Sequence, residues 1–532
     1  MPRRNKRKHK GAEPGTLGAG GGKGGPGENW GGEHMRQAPR PLIAVNPDRT
    51  LIAVAFGTEV RVFDTESGAL ATLESTCAFD AAAAAAREGG ADAPDASRWH
   101  TDAIRALRFD STGASMCTAG DDKLARVWQV GKATGLRSDS TGASGASGAV
   151  APRTLTCVRC ARLPKKACAA AFAAGGAVAA FADKFGDVHG LPVTVTDRKH
   201  TKAHGGAAAP DEMDESTYLF GHCCSIITAA CAPCSAEENA NHFSLLATAD
   251  RDFKIRVARL PKDVATILDP NVGVPEIQSF CHGHAAFVAC VAAVPAGQNA
   301  SARIVSGGGD GAARLWRCED GAALGAVTLA APRARPEGDD ATDATDATAD
   351  LNSDDVEKKK EDVIAPRDEA PREAVDAPAV VAVAVAASGV AYAAVENRPG
   401  EVAELRVRDD ALELVRWVPL PDGVDGVPAG LHYDETRGEL LGVCEKTRPD
   451  GNAEAALFFA YARDGPARKN ADAGDAAARA LAVPGMDPGD GARPGVSLGD
   501  AMRKRGYDEQ KREARKMQRK DFKSGGASLS NA

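Results

Sequence analysis

"HTDAIRALRFDSTGASMCTAGDDKLARVWQV", residues His100–Val130, decides the fold. It opens on a histidine and runs through an alternating apolar stretch and a Ser-Thr-Gly turn. A second apolar stretch holds Thr118, a tight turn ends on Asp122, and a third stretch closes in Arg-Val-Trp. Alternation at period two marks strands, and the Gly, Asp and Ser clusters between them mark turns. A second segment, "GHAAFVACVAAVPAGQNASARIVSGGGDGAARLWRC" (Gly283–Cys318), lies over the first. His284 falls on His100, Ser306 on Thr118, Asp310 on Asp122 and Trp316 on Trp128. A unit that recurs in this way is the building block of a repeat architecture.

The pattern resembles the WD-repeat family. The resemblance implies that the His, Ser/Thr, Asp and Trp of one repeat form a buried hydrogen-bonded chain that locks it, a scheme in which every buried polar group has a partner. A third copy, Gly221–Pro261, carries His222, Thr248 and Asp252 at the same places and Ala258 where the Trp would stand. More degenerate units run through "LTCVRCARLPKKACAAAFAAGGAVAAFADKFGDVHGLPV" and over Pro41–Asp64, Ala379–Asp409 and Gly430–Asp464, making seven. The expected fold class is all-β: a seven-bladed WD-repeat β-propeller of four-stranded blades, whose closure protects the sheet edges. The propeller should span 41–465. Disorder is expected over the basic, Gly-rich 1–40 and in the charged insertion 331–378, and 466–532 should be a linker with a partly helical basic tail.

Charge distribution says more than the formal net charge of −8. Six of the first ten residues are Lys or Arg, and Met502–Lys523 holds ten Lys or Arg against four acids. An acidic body with basic ends suggests nucleic-acid contact or nuclear import at those ends. The chain lacks the apolar run of about 18 residues that a membrane span needs, and no apolar segment follows the N-terminal charges to make a secretory signal. The thirteen cysteines are therefore expected reduced. Cys157/Cys160 and Cys231/Cys234 are Cys-x-x-Cys pairs, but they stand far beyond the roughly 15–20 residues of a compact zinc site. No metal is expected.

Catalytic residues are expected nowhere. "GAGGGKGG" (Gly18–Gly25) lacks the Ser or Thr after Lys23 and the preceding strand that a phosphate loop needs. No Ser/His/Asp order or ligand cluster stands outside the repeat scaffold. The informative departures are two turns. The generic "SGGGDG" (Ser306–Gly311) is small and neutral before its Asp, whereas "ADKFGD" (Ala182–Asp187) and "ADRDFK" (Ala249–Lys254) are charged. Asp183 pairs with Asp250 in the overlay and Lys184 with Arg251, on consecutive repeats, so both turns should share one face. Adjacent acid–base pairs on a rigid rim suit charge-matched docking of another protein.

"ADKFGDV", "ATADRDFKIRVARLP", "CHGHAAFV" and "VSGGGDGAARLWRCEDGAAL", in that order, narrow the resemblance. From about Thr154 to Leu324 the chain resembles the WD-repeat non-catalytic subunit family of eukaryotic tRNA (guanine-N7)-methyltransferases. The resemblance implies a heterodimer with a separate catalytic subunit, which carries S-adenosylmethionine and methylates a variable-loop guanosine of tRNA; this chain itself would hold no cofactor. It implies that Lys184 and Arg251 contact the enzyme first, with Asp183, Asp250, Asp252 and Lys254 next. Arg503, Lys504, Arg505, Lys511, Arg512, Arg515, Lys516, Arg519 and Lys520 recur at helical spacing and are expected to track the tRNA backbone. The Arg3–Lys10 run reads as a nuclear import signal, giving a nuclear protein. The competing expectation is a general WD-repeat scaffold, for instance in ubiquitin ligation or ribosome assembly.

Overall fold

The computed structural model describes residues 38–461 except 66–68, 78, 81–98, 132–152, 195–212, 223–225, 233–242, 262, 270–276, 296–300, 331–376, 421–423, 425, 435–437 and 448–452. The expected tails, the charged insertion, and the basic residues from Arg503 to Lys520 lie outside the described residues. The described residues are almost entirely antiparallel strand; the α-helix among them is Phe79–Asp80 and the single turn Val264–Ile267.

Strands follow one another as meanders. The three central units are four-stranded: Ala167–Ala173, Val178–Asp183, Asp187–Pro192 and Thr217–Gly221; then Ile226–Ala232, Phe243–Asp250, Ile255–Pro261 and Ile277–Cys281; then Val288–Val294, Arg303–Gly308, Ala312–Arg317 and Ala323–Thr328. The first strand of each sheet lies against the first strand of the next, from Leu42–Val45 through to Pro428–Asp434, which returns to contact Leu42–Val45. The result is a WD40 β-propeller. Second strands such as Ser115–Gly120 and Val178–Asp183 are buried throughout, whereas the outermost strand Ala323–Thr328 alternates with solvent. Alanine and glycine fill the tight space between sheets. A methyl group on Gly307 would come within 2.8 Å of Cys290 Sγ and of Val380 on the next sheet.

The expected seven four-stranded blades do not form. Among the described residues, five sheets have four or more strands, while Leu42–Asp64 and Pro428–Tyr461 make three-stranded sheets at the two ends of the ring. The segment that should complete the first sheet, Thr72–Ser75, pairs in parallel with Thr154–Cys157 on the edge of the second, which thereby has five strands. Arg126, buried in that second sheet, supplies the cause. Its guanidinium grips both carboxylate oxygens of Asp80, at 2.6 and 2.7 Å, and draws the segment after the strand onto its own sheet. Two further boundaries move. Thr154–Arg162, assigned by its sequence to the degenerate unit, is an outer strand of the preceding sheet, and the sixth unit continues to Pro419.

Candidate functional site

Two of the three expected locks close as the residue types require. His100 Nδ1 lies 2.9 Å from Asp122 Oδ2 and Nε2 2.9 Å from Thr118 Oγ1, which accepts the Trp128 indole N–H at 3.1 Å. In the other, His284 lies 3.0 Å from Asp310 and 2.7 Å from Ser306 Oγ, which accepts the Trp316 indole N–H at 2.7 Å. One proton arrangement satisfies each chain: indole to hydroxyl, hydroxyl to Nε2, Nδ1–H to carboxylate. Burial alone would raise the Asp122 and Asp310 carboxyls. The electrostatic pull and hydrogen bond of the facing imidazole, with backbone N–H donors, outweigh it and hold both below the ordinary carboxylate value.

The third lock uses a different acid from the one its sequence suggests. His222 Nε2 reaches Thr248 Oγ1 at 2.6 Å, but its Nδ1 faces Asp250 Oδ2 at 3.2 Å, two residues before Asp252. Asp250 occupies the place of Gly120 and Gly308 in the other two turns. A methyl group on Gly308 would meet His284 Nδ1 at 2.5 Å and Asp310 Oδ1 at 2.6 Å, so a side chain there takes the lock acid's place. Asp250 also takes over the acid's second task. Its Oδ1 accepts the Lys254 N–H at 3.1 Å, as Asp122 Oδ1 accepts Leu124 N–H at 2.9 Å and Asp310 Oδ1 accepts Ala312 N–H at 3.2 Å. All four turns then place one residue in the left-handed region: Lys123, Gly186, Phe253 and Gly311.

Asp183 repeats this geometry in the first charged turn, its Oδ1 accepting from Phe185 N at 2.8 Å and Asp187 N at 3.1 Å. Asp183 and Asp250 are 0% and 4% exposed, so the expectation that they face a partner is corrected: both carboxylates turn inward and hold their turns. The bases go the other way. Lys184 and Lys254 are exposed, and Arg251 and Asp252 are half-buried.

The two turns are neighbours, and His222 joins them. Its backbone N–H donates to Gly186 O of the first turn at 2.8 Å, while its ring holds Asp250 of the second. Sequence reasoning missed two further members of this rim. Phe185 is 57% exposed, and Lys165 Nζ lies 4.8 Å from its ring centroid. Their proximity follows from Lys184 N–H bonding Lys166 O at 2.9 Å, a pairing that only strand register brings about. Lys166 itself is spoken for, reaching Asp102 at 3.3 Å and Asp121 at 3.6 Å. Cys157 and Cys160 are both buried on one strand, and the Cys157 sulfur faces Cys77 at 3.9 Å. No helix among the described residues is long and apolar enough to cross a membrane.

Comparison with known proteins bears on the same region. The family described as "tRNA methyltransferase TRM82 WD40 domain" matches residues 196–365, which include the second charged turn and begin beyond the first. The family "WD domain, G-beta repeat" matches 97–129. The "tRNA (guanine-N(7)-)-methyltransferase non-catalytic subunit wdr4" of Dictyostelium discoideum is 24% identical over 296 residues, covering 55% of this chain and 50% of that protein. The corresponding subunit trm82 of Aspergillus clavatus is 26% identical over 277 residues, covering 44% and 49%. The chain thus spans about half the length of the curated relatives it matches. Among solved structures, "Structure of U3-55K" aligns at 14% identity over 77% of this chain and 89% of that one, with a TM-score of 0.43. The chain resembles the WD-repeat non-catalytic subunits of tRNA (guanine-N7)-methyltransferases, and both relatives are named as non-catalytic.

Proposed function

We propose that this chain serves as the non-catalytic subunit of a tRNA (guanine-N7)-methyltransferase. In this reading its propeller docks the catalytic subunit on the rim formed by the two charged turns. The observation that carries the proposal is the pair of neighbouring turns bridged by His222, with their acids buried and Lys184 and Lys254 exposed. Arg251 and Asp252 complete the face, with Lys165 and Phe185 at its edge. A rigid basic rim with one exposed aromatic suits an acidic surface on the partner, and charge complementarity of this kind sets specificity and the rate of encounter. S-adenosylmethionine and the chemistry belong to the catalytic subunit. The basic residues from Arg503 to Lys520 steady tRNA through its phosphates, and Arg3–Lys10 directs the complex to the nucleus.

Co-expression of the full chain with a catalytic tRNA (guanine-N7)-methyltransferase subunit tests the reading. A one-to-one complex is expected, with methylation of tRNA strong only when both chains are present. The double charge reversal K184E/K254E, at the two exposed lysines, should abolish the complex and leave the melting temperature within about 2 °C of wild type, as expected of surface substitutions. A normal complex formed by that variant removes the rim from the interface, and full methylation without this chain removes the function.

A further inference from the structure

The sheet carrying the first charged turn has lost its lock. Its hydroxyl position is Phe181, fully buried, and the residues before its first strand are Leu163-Pro164-Lys165-Lys166, with no histidine. Asp183 nevertheless remains. Its Oδ1 serves the turn, and its Oδ2 is buried with no hydrogen-bond partner. The imidazole that faces this oxygen comes from the wrong direction. His189, on the strand leaving the turn, is 5% exposed and brings Nε2 to 3.8 Å from Asp183 Oδ2, and that nitrogen too is without a hydrogen-bond partner. A separation of 3.8 Å is too long for a hydrogen bond. A buried carboxylate and a buried imidazole, both unsatisfied and facing each other, are a costly pair unless a cation sits between them.

Asp187 completes the set. One ligand atom from each of Asp183, Asp187 and His189 lies within 4.8 Å of the others. Asp187 is half-buried, at the solvent edge of the group, and packs against a glycine: a methyl group on Gly221 would meet Asp187 Oδ1 at 2.8 Å and the Tyr218 hydroxyl at 3.0 Å. Two tetrahedral ligands of one zinc ion, each about 2.0–2.2 Å from it, sit roughly 3.4 Å apart, so donors that now lie within 4.8 Å of one another need close by up to about 1.4 Å. Arg256, the positive group on the neighbouring sheet, is held elsewhere, bonded to Gly221 O at 2.9 Å and stacked over Phe220 at 4.4 Å.

We propose that Asp183, Asp187 and His189 bind one divalent transition-metal ion, zinc being the natural occupant of an imidazole and two carboxylates, with water in the open position. The ion replaces the missing lock and fixes the turn that presents Lys184 and Phe185. This site stands apart from the proposed function, since it requires neither tRNA nor a partner.

The test uses the full chain, stripped with a chelator and titrated with Co²⁺ and Zn²⁺. One equivalent of Co²⁺ should bind with the weak absorption of a nitrogen–oxygen site and no thiolate charge-transfer band, which sets it apart from Cys77 and Cys157. Zn²⁺ should raise the melting temperature. Both effects should weaken at least about tenfold in H189Q and in D187N, since loss of a ligand costs no less than loss of its support. D187N decides the matter if H189Q does not fold, because the turn uses only the backbone N–H of Asp187. The proposal is overturned if folded wild-type protein binds neither ion, if the band is thiolate, or if binding is unchanged in D187N.

Discussion

Replacing Asp250 or Asp252 by asparagine separates the two possible registers of the third lock. The aligned sequence puts the lock acid at Asp252, and the structure puts it at Asp250. Asp250 accepts three hydrogen bonds at 4% exposure: from His222 Nδ1 at 3.2 Å, Asp252 N at 2.9 Å and Lys254 N at 3.1 Å. An asparagine keeps one carbonyl oxygen for the two backbone donors but turns an NH₂ toward the histidine N–H. The charge-assisted bond is lost and a buried donor is left facing another donor. Each hydrogen bond to a charged group is worth about 1.5–3 kcal/mol, and the two backbone bonds also weaken when the charge goes, so D250N should cost about 3 kcal/mol. A folded body of roughly 300 residues unfolds with an entropy near 0.6 kcal/mol/K, which converts that cost to a fall of about 5 °C in melting temperature. D252N, on a half-buried side chain outside the lock, should stay within about 1 °C. Thermal unfolding followed by tryptophan fluorescence, which reports the buried Trp128 and Trp316, is the assay. If D252N falls as far as D250N, or further, the structural register is wrong.

The hydroxyls predict a second ordering. Ser306 satisfies both His284 and Trp316, whereas Thr248 faces His222 with Ala258 in place of an indole, so S306A should cost about 3 kcal/mol and the near-isosteric T248V about half of that by the same denaturation assay. Acid should destabilise the propeller in two stages. Burial holds His432 down at about 4, so the unfolded chain takes up a proton near pH 6.5 that the folded one refuses, and stability falls between those values; H432Q should flatten that part of the melting profile. Asp122 and Asp310 titrate below their unfolded value near 4, so their contribution is fully present above that value and is lost as pH drops from it through their lower folded values. Removal of residues 502–532 should weaken tRNA binding and flatten its salt dependence in a filter-binding titration, and an unchanged slope would refute the assignment of the tail.

The repeat was legible because its signal is redundant. Period-two alternation, a histidine at one end, a turn acid and a closing tryptophan must all agree, and in His100–Val130 and Gly283–Cys318 they do. The incomplete first sheet was not legible, because strand capture by the second sheet depends on Arg126 meeting Asp80, residues 46 positions apart in a region with no repeat pattern to join them. The neighbouring charged turns were legible as a pair, since consecutive repeats put equivalent turns on one rim. Which acids face out was not. Sequence alignment assigns residues to positions but does not say whether a carboxylate two residues earlier can reach the same histidine, and in Asp250 it does. Lys165 and Phe185 meet only through the register of the strands flanking their turns.

That shift of the lock acid fits the docking proposed for these two turns. In the generic turn the acid stands four residues after the hydroxyl, as Asp122 and Asp310 do, and the space before it must hold a glycine. Moving the acid two residues earlier, into the glycine's place, keeps the same backbone donor and, in the third lock, the same histidine contact. The later position is then relieved of the lock and carries Phe185 in one turn and Asp252 in the other, next to Lys184 and Arg251. One oxygen of each buried carboxylate, Asp183 Oδ1 and Asp250 Oδ1, is spent on backbone N–H groups, and both side chains face away from the solvent that Lys184 and Lys254 reach. A docking surface of this kind is rigid because its own acids hold it, and basic because those acids face inward.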